Sequence, residues 1–486
     1  CRHNRNHQLL SLFLWCLERM YSILVSPSHT YGAFMVEGTA ESIPLGDVDS
    51  FPSAVRVNIG ANDPDMTVPF TGERSIRDCY YSLQLLDMSD TNPFSKDVVE
   101  YNDKRVKSAN GKATFYLNST LIPAQKVLQR IVQTSLSHMP DRKSLVCVVP
   151  DYFDSQKRRQ LIGLLREAAK DANPITLINL SLAAVYSTIG PKPDAEPSVC
   201  LSIRFDDGPL QVSAYSVRPN RILQLSSFTA FSVSGVRLLN DAIKCALCDM
   251  DEEAKEEFQS YSSSEQLKIS RKLWFDMWNY LSDPEGCPEP TIDLDYPFQM
   301  EMKSMEEAMQ SMFVELDNAI ANCLLLGNIS EETVSHVSLS GELSHQKLFQ
   351  NHMMECYPNR EMIVLDNDLL CRKALEWASN PSIPILQCLP ITLTLGSKDS
   401  ETSVICDSFT PYPCSIQKVS HFPRESVPNH SLLMYYKVVG SPDSEYKEPI
   451  DLSDMSTTHN EYILTTKVDI DANGVCSVTT SSVVTN

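Results

Sequence analysis

The chain has 486 residues, 42% of them hydrophobic and 21% charged, enough for two to four domains at roughly 100–200 residues each. Asp and Glu number 62 against 41 Lys and Arg, a formal charge of -21, with a pI near 4.9; such a surface disfavours nucleic acid and anionic membranes as partners. No run approaches the roughly 18 apolar residues of a spanning helix, and the scarcity of glycine, 16 residues in all, leaves few places where backbone can wrap closely around phosphate.

The chain begins at Cys1, and Arg2 and Arg5 precede an apolar run from Leu9 to Leu17, similar to the charged and hydrophobic regions of a signal peptide. Glu18-Arg19-Met20 stands where a small-residue cleavage site belongs, so residues 1–19 are read as an extension outside the first domain, with a genuine signal as the alternative. From Met20 to about residue 60, Ile23-Leu24-Val25, Ala33–Val36 and Ala54–Val57 alternate with Pro, Gly, Ser and Asp, which predicts an antiparallel meander. Residues 122–138 space Val127, Leu128, Ile131, Val132 and Leu136 as one helix face. The continuous run Leu145–Pro150 predicts a strand buried on both faces. A helix with Leu161, Leu164, Leu165 and Ala168 inward follows, then the strand Ile175–Ile178 and a helix opening at Leu182-Ala183-Ala184. Strand and helix alternate, so the class is α/β with a partly parallel sheet.

A second cycle has strands at 199–204, 209–217 and 221–231 and a helix over 235–248. An acidic, Ser-rich stretch, Asp249 to Ser264, leads into a helix carrying Leu267, Leu273, Trp274 and Met277; strand-like 291–301 and a helix at 304–325 come next. A third cycle is the strand Val334–Gly341, a helix through Met353, the strand Met362–Leu365 and a helix at 368–378. Pro381, Pro384 and Pro390 then bracket Ile383, Ile385 and Leu386, and beyond them only strand patterns remain. The reading is one large α/β domain over 20–379, an apolar linker over 380–390 and a small all-β domain over 391–486.

Fifteen scattered cysteines fit reduced thiols in a cytosolic protein better than a disulfide framework. Cys245 and Cys248 make a lone C-x-x-C with no second pair at zinc-finger spacing, and no metal is expected there. Three Asn-x-Ser/Thr triplets, at Asn118, Asn328 and Asn429, matter only to a secreted chain. Asp469-Ile470-Asp471-Ala472-Asn473-Gly474 opens like a calcium loop, but its twelfth position is Thr480, so it is read as an Asn-Gly hairpin turn.

Several local sequences carry a resemblance. Val148-Val149-Pro150-Asp151-Tyr152-Phe153 followed by Arg158-Arg159, Ser338-Leu339-Ser340-Gly341 with Lys347, and Val468 to Val478 (VDIDANGVCSV) resemble segments of the heat shock protein 70 family. Phe409–Pro413, Phe422–Glu425, Tyr435-Tyr436 and Ser477–Val484 look more like its large (heat shock protein 110) branch. The resemblance implies an actin-like two-lobed ATPase-type domain followed by a β-sandwich substrate-binding domain, with ATP or ADP as the ligand. It places Thr30 and Gly208 at the two phosphate hairpins, Gly235, Arg271, Lys272 and Gly341 on the adenosine side and Asp368 in the last helix. Val404, Phe422, Leu432 and Met434 fall on its peptide-groove strands, with core packing the alternative for each.

The phosphate hairpins depart from the family's pattern. Cradling phosphate takes glycine N–H groups, hydroxyls and metal-holding carboxylates. Ser26-Pro27-Ser28-His29-Thr30 and Arg204-Phe205-Asp206-Asp207-Gly208-Pro209 stand in their place. Leu180 occupies the position of a family Glu, Met88-Ser89 the neighbourhood of its catalytic lysine, and Phe275 that of a small polar residue near adenine. No catalytic residue is assigned and hydrolysis is not expected. The expectation is a cytoplasmic (alternatively also nuclear) chaperone or co-chaperone, a holdase or nucleotide-exchange cofactor, with unfolded polypeptides and a heat-shock ATPase as partners. A pseudoenzyme scaffold and an ATP-driven chaperone are the alternatives.

Overall fold

Apolar patterning sets the first sheet. In the computed structural model, Met20–Val25 (β1), His29–Val36 (β2) and Thr39–Ser42 (β3) form the antiparallel meander, and Ser144–Val149 (β4) and Ile175–Asn179 (β5) extend it in parallel from β1. The structure describes Met20 to Ser482 apart from residues 28, 37, 45–49, 59–64, 70–77, 81, 87–92, 103–104, 110–111, 118–119, 140–142, 191–196, 296, 301–302, 380–383, 398–402, 428–430, 440–444 and 453–460. The stretch 1–19, Ser28, Met88, Ser89, Pro381 and Ile383 thus lie outside the described residues. Ala54–Asn58, expected in the meander, pairs instead with Asp65–Thr67 and Asp78–Tyr80 in a separate small sheet.

The strand order is β5-β4-β1-β2-β3. Ser198–Arg204 (β6), Pro209–Arg218 (β7), Arg221–Ser234 (β8), Val334–Ser340 (β9) and Glu361–Leu365 (β10) repeat it as β10-β9-β6-β7-β8, with the same antiparallel and parallel pairings. One sheet topology therefore occurs twice, and in each copy a tight turn joins the first two strands.

The helices are Pro93–Tyr101 (α1), Ala124–Ser137 (α2), Ser155–Ala168 (α3), Leu180–Ile189 (α4), Gly235–Asp249 (α5), Glu252–Ser260 (α6), Ser263–Ser282 (α7), Lys303–Leu326 (α8), Lys347–Cys356 (α9) and Asn367–Ser379 (α10). Helices α4 and α10 share one core with Leu24, Val146 and Val148 of the first sheet and Cys200, Tyr215 and Val217 of the second. Ala183, Ala184 and Ala374 are small enough to let these layers approach. The opposite face of β4 packs on α2 and α3 through Leu145, Cys147 and Val149, which explains its unbroken apolar run.

Two expectations need correction. The Asp249–Ser264 stretch holds a helix, α6: Asp251 accepts from the Ala254 N–H at 2.8 Å and Glu252 and Glu253 sit in the first turn, where acids favour a helix. Only Ala254 of α6 is buried, so no apolar stripe announces it. Among the described residues of 291–301, only Thr291–Ile292 and Phe298–Gln299 pair as strands.

The expected linker also carries structure. Ile385–Cys388 (β11) pairs in parallel with Ile222 and Leu223 of β8 and antiparallel with Pro411–Tyr412, continuing the second sheet. Beyond it, Ile391–Gly396 (β12), Ser403–Cys406 (β13), Cys414–Pro423 (β14), Ser431–Val438 (β15), Glu445–Asp451 (β16), Glu461–Ile470 (β17) and Cys476–Ser482 (β18) form two sheets, β13-β12-β15-β16 and β14-β17-β18. Their inner faces share a third core that includes Leu393, Leu395, Met434, Leu464 and Val468.

Candidate functional site

The turns β1–β2 and β6–β7 occupy matching places in the duplicated topology, and they meet. A Cβ on Gly208 would lie 3.2 Å from Pro27 Cγ, so the Pro27 ring packs directly on this glycine. The cavity remaining between the turns is lined by Pro27, Tyr152, Arg204, Asp206 and Pro209 among others and measures about 10 Å³, room for about one water. Small-ligand pockets run to roughly 300–1,000 Å³.

Several charged groups here are engaged with one another, while the side-chain amide of Gln84, which also lines the cavity, has no hydrogen-bond partner among the described residues. The buried carboxylate of Asp206 pairs with the buried guanidinium of Arg204 and accepts the Gly208 N–H at 2.8 Å. Arg204 Nη1 donates to Asn367 Oδ1 at 2.9 Å, and Asn367 Nδ2 donates to Glu342 Oε1 at 3.1 Å. Burial pushes the Asp206 carboxyl above its ordinary value while Arg204 pulls it back down. At the start of α5 the N–H groups of Gly235 and Val236 donate to the Asp206 and Asp207 carbonyls at 3.0 and 3.1 Å. Here only glycine fits, because a Cβ on Gly235 would lie 2.2 Å from the Asp206 carbonyl oxygen. Gly341, at φ +91°, would place a Cβ 2.5 Å from the Phe205 carbonyl oxygen. Gly208, Gly235 and Gly341 therefore converge on one loop, Phe205–Asp207, as close-packing residues, with the Gly208, Gly235 and Val236 N–H groups already given to acceptors within the loop.

The remaining expected nucleotide residues lie on β2, α7 and α10. Thr30 is buried and shares a hydrogen bond with Ser53 Oγ at 2.8 Å. Arg271 is buried in α7, while Lys272 reaches Asp293 at 3.1 Å on the surface. Asp368 accepts from Ser42 Oγ at 2.6 Å and Arg372 Nε at 2.9 Å. The described contacts of these residues are with other parts of the chain, and the space between the two turns is about 10 Å³ in this structure.

In the β part, Phe422, Leu432 and Met434 are core residues, 4%, 0% and 1% exposed. This corrects the groove expectation for them: alternate residues of β14 and β15 face the opposing sheet, so they pack inward rather than line a groove. Val404 is half-buried on β13, with its carbonyl engaged by Lys418 Nζ. A groove of about 400 Å³ lies elsewhere, lined by Pro413, Cys414, Asp469, Ile470, Asp471, Val475 and Ser477.

The sequence reading missed a junction built on the Asp471–Gly474 turn. Asp471 Oδ1 accepts the N–H groups of Asn473 and Val475 at 2.9 and 2.8 Å, so this acid closes its own loop. Asn473 Oδ1 then accepts the Leu177 N–H at 2.8 Å and its Nδ2 donates to the Ile175 carbonyl at 3.1 Å, covering the outer edge of β5. Arg158 is fully buried beneath the turn and donates to the Phe153 carbonyl, the Tyr412 hydroxyl and the Asn473 carbonyl at 2.7, 3.2 and 3.2 Å. The signal was the VDIDANGVCSV hairpin and the Arg158-Arg159 pair; their contact across some 300 residues was not readable. The described cysteines are free thiols, and no described helix is long and apolar enough to cross a membrane. No family model matches the chain, and no curated protein matches it.

Proposed function

We propose that the chain is a divergent member of the heat shock protein 70 family, nearest its large branch, and that it serves protein folding as a chaperone or co-chaperone without nucleotide turnover. The observation that carries this reading is the contact between the two matching hairpin turns, Pro27 against Gly208. The repeated sheet order, with α4 and α10 packed between the two copies, supports a two-lobed actin-like frame whose cleft lies where those turns meet. Asp206 then acts as a built-in anion, taking the glycine N–H and the cation that a phosphate would otherwise need. Holding an unfolded segment, or a partner ATPase, needs no turnover; extended segments pair with a terminal strand of the β part, β16 or β18. The burial of Phe422, Leu432 and Met434 favours, as a second reading, a pseudoenzyme scaffold that binds a folded partner and no client.

Two measurements on the full chain separate these. Suppression of client aggregation at equimolar ratio supports the chaperone, and no suppression supports the scaffold. Titration calorimetry with Mg-ATP is expected to give no binding heat; a micromolar constant, or phosphate release, overturns the closed cleft and revives an ATP-driven chaperone.

A further inference from the structure

Away from the cleft, α8 and α9 bring together three side chains of different chemistry. Asp317 lies within α8, while His352 and Cys356 are four residues apart on α9 and so share one face of it. His352 Nε2 is 2.9 Å from Asp317 Oδ1. Cys356 Sγ is 3.6 Å from that nitrogen and 3.9 Å from that oxygen. A tetrahedral zinc ion with bonds of about 2.0–2.3 Å sets its donors roughly 3.3–3.6 Å apart, so each edge of this triangle is within about 0.4 Å of a liganded one. Among the described residues this is the one cluster of three such donors.

The geometry separates a ligand set from a catalytic relay. In a nucleophile–base–acid relay the acid and the nucleophile contact opposite ring nitrogens. Here one nitrogen, Nε2, faces both the carboxylate and the sulfur, so the three donors converge on a common point. Phe313, one turn before Asp317, stacks on the His352 ring at 4.2 Å and 4°, which fixes the direction of Nε2. Imidazole and sulfur donors are foreign to calcium and magnesium, which take oxygen, while a mixed N, O and S set suits a borderline-soft ion. The Asp317 side chain is 50% exposed, so solvent reaches the remaining position.

We propose that Asp317, His352 and Cys356 form a three-ligand site for a zinc-class divalent ion, which staples α8 to α9 and leaves its fourth position to solvent. Binding replaces the Cys356 S–H bond by a metal–sulfur bond and releases that proton to water.

The test is titration of the chelator-stripped full chain with Co²⁺. A thiolate-to-cobalt charge-transfer band is expected, saturating at one equivalent and displaced by Zn²⁺. Cys356→Ser abolishes the band. Asp317→Asn, at a half-exposed position that leaves folding intact, weakens binding roughly tenfold or more, since loss of an outer partner alone already costs about that much. Cys245→Ser combined with Cys248→Ser leaves the band unchanged. The proposal is overturned if the folded chain gives no thiolate band, if the band survives Cys356→Ser, or if it disappears with the Cys245 and Cys248 pair.

Discussion

Replacing Arg204 by Met leaves Asp206 buried without its cation. The two side chains are 5% and 1% exposed, so solvent cannot take over, and breaking such a pair by removing one partner costs about 3–5 kcal/mol. Asn367 Oδ1 also loses a donor at 2.9 Å, which lies within that range rather than adding to it. In urea unfolding the midpoint should fall by this free energy divided by the slope, with the slope itself unchanged. Arg204→Met combined with Asp206→Asn removes both charges but keeps an oxygen for the Gly208 N–H, so most of the loss should be recovered. Acidity gives a second check. The Asp206 carboxyl already lies above its ordinary value of 3.8 because of burial, and without Arg204 it rises further. A carboxyl raised in the folded state contributes stability below the unfolded value and loses it as pH rises through the folded one. The deficit of Arg204→Met should therefore shrink in acid and grow towards neutrality. A loss under about 1 kcal/mol, or equal losses in the single and double variants, would refute the buried pair as the element that fills the space between the two turns.

Two further outcomes follow from the same contacts. Gly474 sits at φ +72°, and an added Cβ would come within 3.1–3.2 Å of Leu389, Arg158 and Tyr412; Gly474→Ala should cost about 1–3 kcal/mol and speed proteolytic cleavage near residues 380–390, whereas an unchanged digestion pattern would mean the turn does not secure the junction. Desolvation pulls His29 down from 6.5 to about 4. Stability should be intact above pH 6.5 and fall by at most about 3 kcal/mol as pH drops to 4, a slope that His29→Gln should remove in a series of urea midpoints.

Period and composition made the elements readable. The unbroken apolar run of β4, the heptad-like spacing of α2 and the alternation of strand and helix each report how many faces of an element are buried. Where burial is slight the signal fails: α6 buries only Ala254 and is announced by its caps rather than by a stripe. Ile385 and Leu386 read as apolar, but sheet pairing with Ile222 and Leu223 is a relation between segments some 160 residues apart. The same holds for Phe422, Leu432 and Met434, whose alternation in sequence is identical whether the facing partner is another sheet or an open groove.

The sequence by itself determined that Pro27, Arg204 and Pro209 stand in the two turns where the resemblance implies glycine, carboxylate and hydroxyl, because no packing can change residue identity. What those replacements do was decided only by tertiary structure. Pro27 closing on Gly208, Arg204 tied to Asn367, Asn473 covering the edge of β5, and Asp317 meeting His352 and Cys356 all join residues far apart in the chain. Their distances depend on how sheets and helices stack, and local sequence carries no record of that stacking.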